Sequence, residues 1–138
     1  MSIKLEIRPE SDFLNVTAAG DFSLAEGQRT FLDMLKAVVR HKVRKVLFDG
    51  RRLEGEPEAV ERFYYGEFAA NAFAESAKLG AVARSTRFAY VLEEPVLDPK
   101  RLGETVAVNR GMLLKAFDNL QDACSWLEIE HPKKPDGL

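Results

Sequence analysis

The sequence predicts an α/β domain with a mixed five-stranded sheet, an N-terminal hairpin and about four helices. Three observations predict it. Two strand-like segments at the start flank the turn residues Pro9-Glu10-Ser11-Asp12. After them, short apolar runs alternate with stretches of helical period. The helical stretches begin at cap residues or stop at glycine, as Ser23, Gly80, Asp98 and Gly111 do. With 138 residues, 46% of them hydrophobic and 30% charged, the chain has room for one core. A single domain over residues 1–128 is expected, with residues 129–138 as a flexible C-terminal tail.

Ile3, Leu5 and Ile7 alternate with polar neighbours, the period of a half-buried strand, and residues 13–19 read as its antiparallel partner. Ser23 and Glu26 have the spacing of a capping box. The helix they open carries Leu24, Phe31, Leu35, Val38 and Val39, with Leu32 alongside, and closes on Arg40, His41 and Lys42. Val46-Leu47-Phe48 suits a buried parallel strand within residues 43–49. A polar loop follows over residues 50–56, and Pro57 fits the first turn of a second helix over residues 58–78. The fourth strand covers residues 87–92. Asp98 and Pro99 open a third helix as cap and first residue, and Gly111 stops it. Residues 112–117 form the last strand, and a final helix from Leu120 turns Ala123, Cys124 and Leu127 inward. In this topology the strand-to-helix loops share one rim of the sheet, bringing together Asp21, the loop after Asp49, Glu93-Glu94 and Asp118.

Composition narrows the function classes. A net charge of −2 supplies no basic field for nucleic acid or an anionic membrane. No stretch reaches membrane-spanning length, and the opening Met1-Ser2-Ile3-Lys4 lacks a leader's apolar run. The single cysteine, Cys124, cannot close an intrachain disulfide, which fits a reducing, cytoplasmic setting.

Asp49-Gly50-Arg51, Glu61-Arg62-Phe63 through Gly66-Glu67-Phe68, and the segment Gly103-Glu104-Thr105-Val106-Ala107-Val108-Asn109-Arg110-Gly111 carry a family resemblance. Together with the element order, they make the chain similar to the STAS domains, and most of all to the SpoIIAA-like group of bacterial single-domain proteins. The resemblance implies a regulatory interaction module. Antagonist members carry a phosphorylatable serine at the start of the helix after the third strand. From Asp49 to Ala74 this chain has neither Ser nor Thr, so the phosphoswitch does not transfer.

The second helix is the informative element. One face carries Ala59, Phe63, Gly66, Ala70, Phe73, Ala74 and Ala77, small enough to pack closely on the sheet. Gly66 inside a helix costs about 1 kcal/mol relative to Ala and implies a close backbone approach. A second apolar stripe, Val60, Tyr64, Phe68 and Ala72 with Tyr65 beside it, either packs on a neighbouring helix or meets a partner or ligand.

Catalytic and metal chemistry finds little support. His41 and His131 lie far apart, and Cys124 falls on an inward stripe. The strongest polar cluster is Asp49, Arg51 and Arg52, which either clamps an anion or pairs locally to order its loop. The expectation is a non-enzymatic module without cofactor or metal, acting as a homodimer or on a regulatory protein. Its surface would comprise Asp49, Arg51, Arg52, Arg62, Tyr64, Tyr65 and Phe68. The alternative is a carrier or sensor of a small apolar or lipid-like ligand, walled by Phe63, Tyr64 and Phe68, with Arg51 or Arg52 on its polar head.

Overall fold

The computed structural model describes residues 3–132, so Met1, Ser2 and residues 133–138 of the expected tail lie outside the described residues. The chain runs β1 (Lys4–Pro9), β2 (Leu14–Asp21), α1 (Leu24–His41), β3 (Lys45–Glu54), α2 (Ala59–Lys78), β4 (Arg87–Val91), α3 (Leu102–Asn109), β5 (Leu113–Phe117) and α4 (Leu120–Leu127). The strands form one mixed sheet, as the alternation of periods predicts, and their order across it is β1-β2-β3-β4-β5. β1 pairs with β2 antiparallel, and every later pair is parallel.

This order decides where the helices go. Each crossover from β2 to β5 steps sideways in the same direction, so crossovers of one hand place α1, α2 and α3 on the same face. α4 follows the last strand and covers the other face, where Ala123, Cys124 and Leu127 pack with Phe13, Leu47, Ala89, Val91 and Phe117. Side chains alternate across the sheet accordingly: Val46 and Phe48 of β3, and Phe88 and Tyr90 of β4, join the three-helix side with Phe31, Met34 and Phe73.

α1 packs on β1, β2 and α2, while α3 packs on β5 and α2. α2 therefore rests on its two neighbouring helices and stands off the strands, with an aromatic layer beneath it. Phe73 meets Phe88 edge to face at 5.6 Å between centroids, and Tyr65 meets Phe31 in the same way at 6.4 Å. Gly66 has the close approach its place in a helix demands. The partner is α3, not the sheet: a Cβ on Gly66 would collide with the Gly103 carbonyl, and one on Gly103 would lie 3.1 Å from the Arg62 carbonyl.

Several local expectations need correction. The polar segment expected as a loop over residues 50–56 continues β3 as far as Glu54, pairing Arg52 with Ala19 and Glu54 with Asp21 beyond an irregularity at Thr17. β4 ends opposite Asp49, so this extension is a two-stranded ribbon on which polar side chains suffer no burial cost. Pro57 precedes the helix cap, Glu58, and the Glu61 carboxylate accepts the Glu58 amide at 2.9 Å. α3 starts at Leu102, later than expected, because residues 98–101 form a turn; the Asp98 carboxylate still caps it by accepting the Leu102 amide at 2.9 Å. Ser23 caps α1 through the Glu26 amide at 3.2 Å, but Glu26 does not complete a box. Its carboxylate accepts the Ile3 amide at 2.8 Å and Arg29, stitching the start of the chain to α1. Leu32 and Val39 of the expected α1 stripe face outward, and Met34 and Thr30 occupy the core instead.

Candidate binding site

At the end of the sheet where β3, β4 and β5 stop, the first turns of α1, α2 and α3 converge over a cavity of about 110 Å³. Its floor is Phe48, Tyr90, Leu114 and Ala116, its roof Tyr65 and Gly66, and its sides include Phe22, Gly27, Leu53, Leu92 and Leu97. The lining is almost wholly apolar. The cavity follows from the packing above: two glycines bring α2 down onto α3 at its N-terminal end, while α2 stays off the strands below.

One polar feature crosses this space. The Tyr65 and Tyr90 hydroxyls lie 2.6 Å apart, so one phenol donates to the other. Burial pushes the Tyr65 phenol far above its ordinary range, against a smaller opposing pull from the bond to Tyr90. Burial also drives Tyr90 upward, reinforced by its partner. Both are therefore neutral phenols at neutral pH.

Charged groups around the cavity are committed to the protein's own backbone. Arg62 donates to the carbonyls of Pro57 (3.1 Å), Val96 (2.8 Å) and Pro95 (2.7 Å), tying the start of α2 to the loop after β4. Arg101 donates to the Ala116 carbonyl, and Glu104 accepts the Ala116 amide, locking α3 to β5. Asp98 accepts the amides of Lys100 and Leu102. Its burial would raise the carboxyl, but those two bonds and nearby cations outweigh that and hold it below the usual carboxylate range.

The residues singled out from the sequence divide into three places. Asp49 and Arg51 form a two-point pair, with Arg51 Nε 2.9 Å from Oδ1 and Nη2 2.7 Å from Oδ2, and the Arg51 amide adds a third bond at 3.2 Å. This is the local pairing of the two readings. Partial burial works to raise the Asp49 carboxyl, and its bonds to Arg51 prevail and lower it. Arg52 is exposed beside a shallow depression lined by Arg51, Glu54, Glu93 and Glu94. Tyr65 turns inward to the cavity, and Phe68 is half-buried against the core. Tyr64 stays outside, 47% exposed, one turn from Val60 at 53%. Phe63 is half-buried between the Tyr64 ring and the Arg110 guanidinium, which lies 5.7 Å from its centroid. Arg110 also pairs with Glu67 at 3.4 Å.

Sequence reasoning missed Tyr90, which sits among strand residues that read simply as core. The available signal was its hydroxyl: a buried tyrosine needs a partner for its polar end, and the inward phase of α2 offers Tyr65. Among the described residues, no group of three or more His, Cys, Asp or Glu could hold a metal ion, and no helix is long and apolar enough to cross a membrane.

Comparison with solved structures places this architecture. An anti-sigma factor antagonist from Mycobacterium paratuberculosis superposes with a TM-score of 0.56 at 16% identity, over 92% of this chain and 95% of that one. The fold is SpoIIAA-like. An uncharacterized protein of SpoIIAA-like fold from Shewanella loihica also aligns, at 17% identity over 91% of this chain and 93% of that one, with a TM-score of 0.49. No protein-family model and no curated protein matches the chain. From Asp49 to Ala74 the end of β3, the loop after it and α2 contain neither Ser nor Thr; β3 carries the Asp49–Arg51 pair, and α2 carries the cavity's roof.

Proposed function

We propose that the protein is a non-catalytic regulatory module that acts by contact with another protein, a second copy of itself included. The surface is the outer side of α2 near its start, with Tyr64 and Val60 at its centre. The observation that carries this reading is the exposure of Val60 and Tyr64, 53% and 47%, one helical turn apart on one side of α2. An aromatic and a branched aliphatic side chain so placed suit the centre of an interface, and the surrounding Glu61, Glu67 and Arg110 suit its polar rim. The fold likeness to an anti-sigma factor antagonist supports a protein partner. With neither Ser nor Thr between Asp49 and Ala74, such contacts would not be gated there by a phosphoserine or phosphothreonine.

Sedimentation velocity over a wide concentration range tests the homodimer, the commonest symmetric use of a single patch. The wild type should self-associate, and the Val60→Glu/Tyr64→Glu double variant should stay monomeric with an unchanged Tm. If both are monomers, affinity capture with each as bait decides the surface. A partner retained equally by both baits would refute it.

A second reading, a sensor or carrier of a small apolar ligand, is favoured by the cavity beneath α2. The wall would then be Tyr65, Tyr90, Phe48 and Leu97, with Tyr64 and Arg51 outside it.

A further inference from the structure

We infer that the cavity beneath α2 takes a small neutral molecule, ring-sized and mostly hydrocarbon, with one hydrogen-bond acceptor received by the Tyr65–Tyr90 pair. This rests on the ligand reading above and specifies its chemistry.

Size comes first. An engineered apolar cavity of roughly 150 Å³ holds benzene and stays dry when empty. At about 110 Å³ this cavity is of that order, so a single six-membered ring is near the limit of what it encloses, and a long acyl chain would have to run out into solvent. Charge comes second. Each charged side chain on the lining is already bound within the protein: Arg62 to three carbonyls, Arg101 and Glu104 to the Ala116 backbone and each other, Asp98 to two amides. The two arginines, the aspartate and the glutamate on the lining also sum to no net charge, so a carboxylate or phosphate would enter an apolar space with no excess of positive charge to offset its desolvation.

The hydroxyl pair supplies the specificity. Two phenols 2.6 Å apart share one hydrogen bond, so one O–H proton is spent and the other remains to be donated. Thr30, the other hydroxyl on the lining, donates to the Gly27 carbonyl at 2.9 Å. The pair thus offers a single donor in an apolar setting, where a hydrogen bond discriminates strongly between an acceptor and a hydrocarbon of equal size.

Three probes, cyclohexanone, toluene and benzoate, followed by amide chemical shifts of Gly27, Gly66, Gly103 and Ala116, test this. Cyclohexanone should bind saturably, with a Kd on the order of 1 mM for so few atoms. The Tyr65→Phe/Tyr90→Phe variant should weaken cyclohexanone about tenfold while leaving toluene within about twofold. Both hydroxyls must go, because either one alone could donate. Ala116→Leu, which fills the floor, should abolish both neutral ligands in a protein that still unfolds cooperatively. Equal effects of the double variant on cyclohexanone and toluene, or benzoate binding more tightly than either, would overturn the ligand class and leave the ligand reading standing. Failure of cyclohexanone and toluene alike, or their undiminished binding to Ala116→Leu, would overturn both.

Discussion

Gly66 of α2 and Gly103 of α3 face each other with no room for a side chain between them: a Cβ on Gly66 would strike the Gly103 carbonyl oxygen. The obstacle is backbone, which cannot rotate aside as a side chain can. Replacing Gly66 by Ala should raise helix propensity by about 1 kcal/mol. Overpacking against a fixed carbonyl opposes that and prevails, so Gly66→Ala should destabilise the fold by about 2 kcal/mol. Urea unfolding measures it, and a gain in stability would show that the two helices can part.

How much was legible in the sequence follows from the same contact. Gly66 announced a close approach, but nothing in α2 names the element approached. The sheet is the default partner of a crossover helix, and only the third helix's own glycine brings α3 in. The strand and helix order was legible because the elements keep distinct hydrophobic periods and the cap Ser23 accepts an amide proton as its residue type suggests. The phase of α2 was not, since helices on both flanks widen its buried arc until Tyr65, Phe68 and Ala72 all touch the core. The end of β3 was hidden too. Residues 50–54 have the composition of a loop, and their strand conformation comes from pairing with β2 alone. The cavity is invisible in one dimension, being the remainder left after side chains from three strands and three helices are placed.

The Asp49–Arg51 pair should make stability depend on acid. The folded carboxyl lies below its unfolded value, so its contribution is fully present above the unfolded range near pH 3.8 and is lost as pH falls through the lower folded value. Arg51 is 40% exposed, so screening by solvent keeps the pair to about 1 kcal/mol. Asp49→Asn should therefore be less stable than wild type at pH 7, with the gap closing at more acid pH. Chemical denaturation of both proteins across that range checks it. A gap independent of pH would mean that the hydrogen-bond geometry matters and the charge does not.

Two of the three tyrosines should resist alkaline titration. Burial holds Tyr65 and Tyr90 protonated, so the phenolate absorbance of these two should appear only as the fold is lost. The bond between them should show as a coupling of about 1 kcal/mol in a double-mutant cycle of Tyr65→Phe and Tyr90→Phe. Additive single changes would mean that the hydroxyls sit close together without stabilising one another.

Arg62 should matter for order in the rim more than for any partner. Its guanidinium satisfies three carbonyls on two segments, Pro57 before α2 and Pro95 and Val96 after β4. A planar fork can reach them together, whereas an ammonium is a single point and cannot. Arg62→Lys should thus lose nearly as much as Arg62→Ala, about 2 kcal/mol in each case, since charged-donor bonds and partly buried carbonyls are both given up. Because Val96 and Leu97 line the cavity, amide exchange should quicken across residues 93–98 while the amides of β4, held in the sheet on both sides, stay protected. Recovery of both stability and protection by lysine would show that positive charge at this corner suffices. In that case the three directed bonds would not be what holds the loop over the cavity.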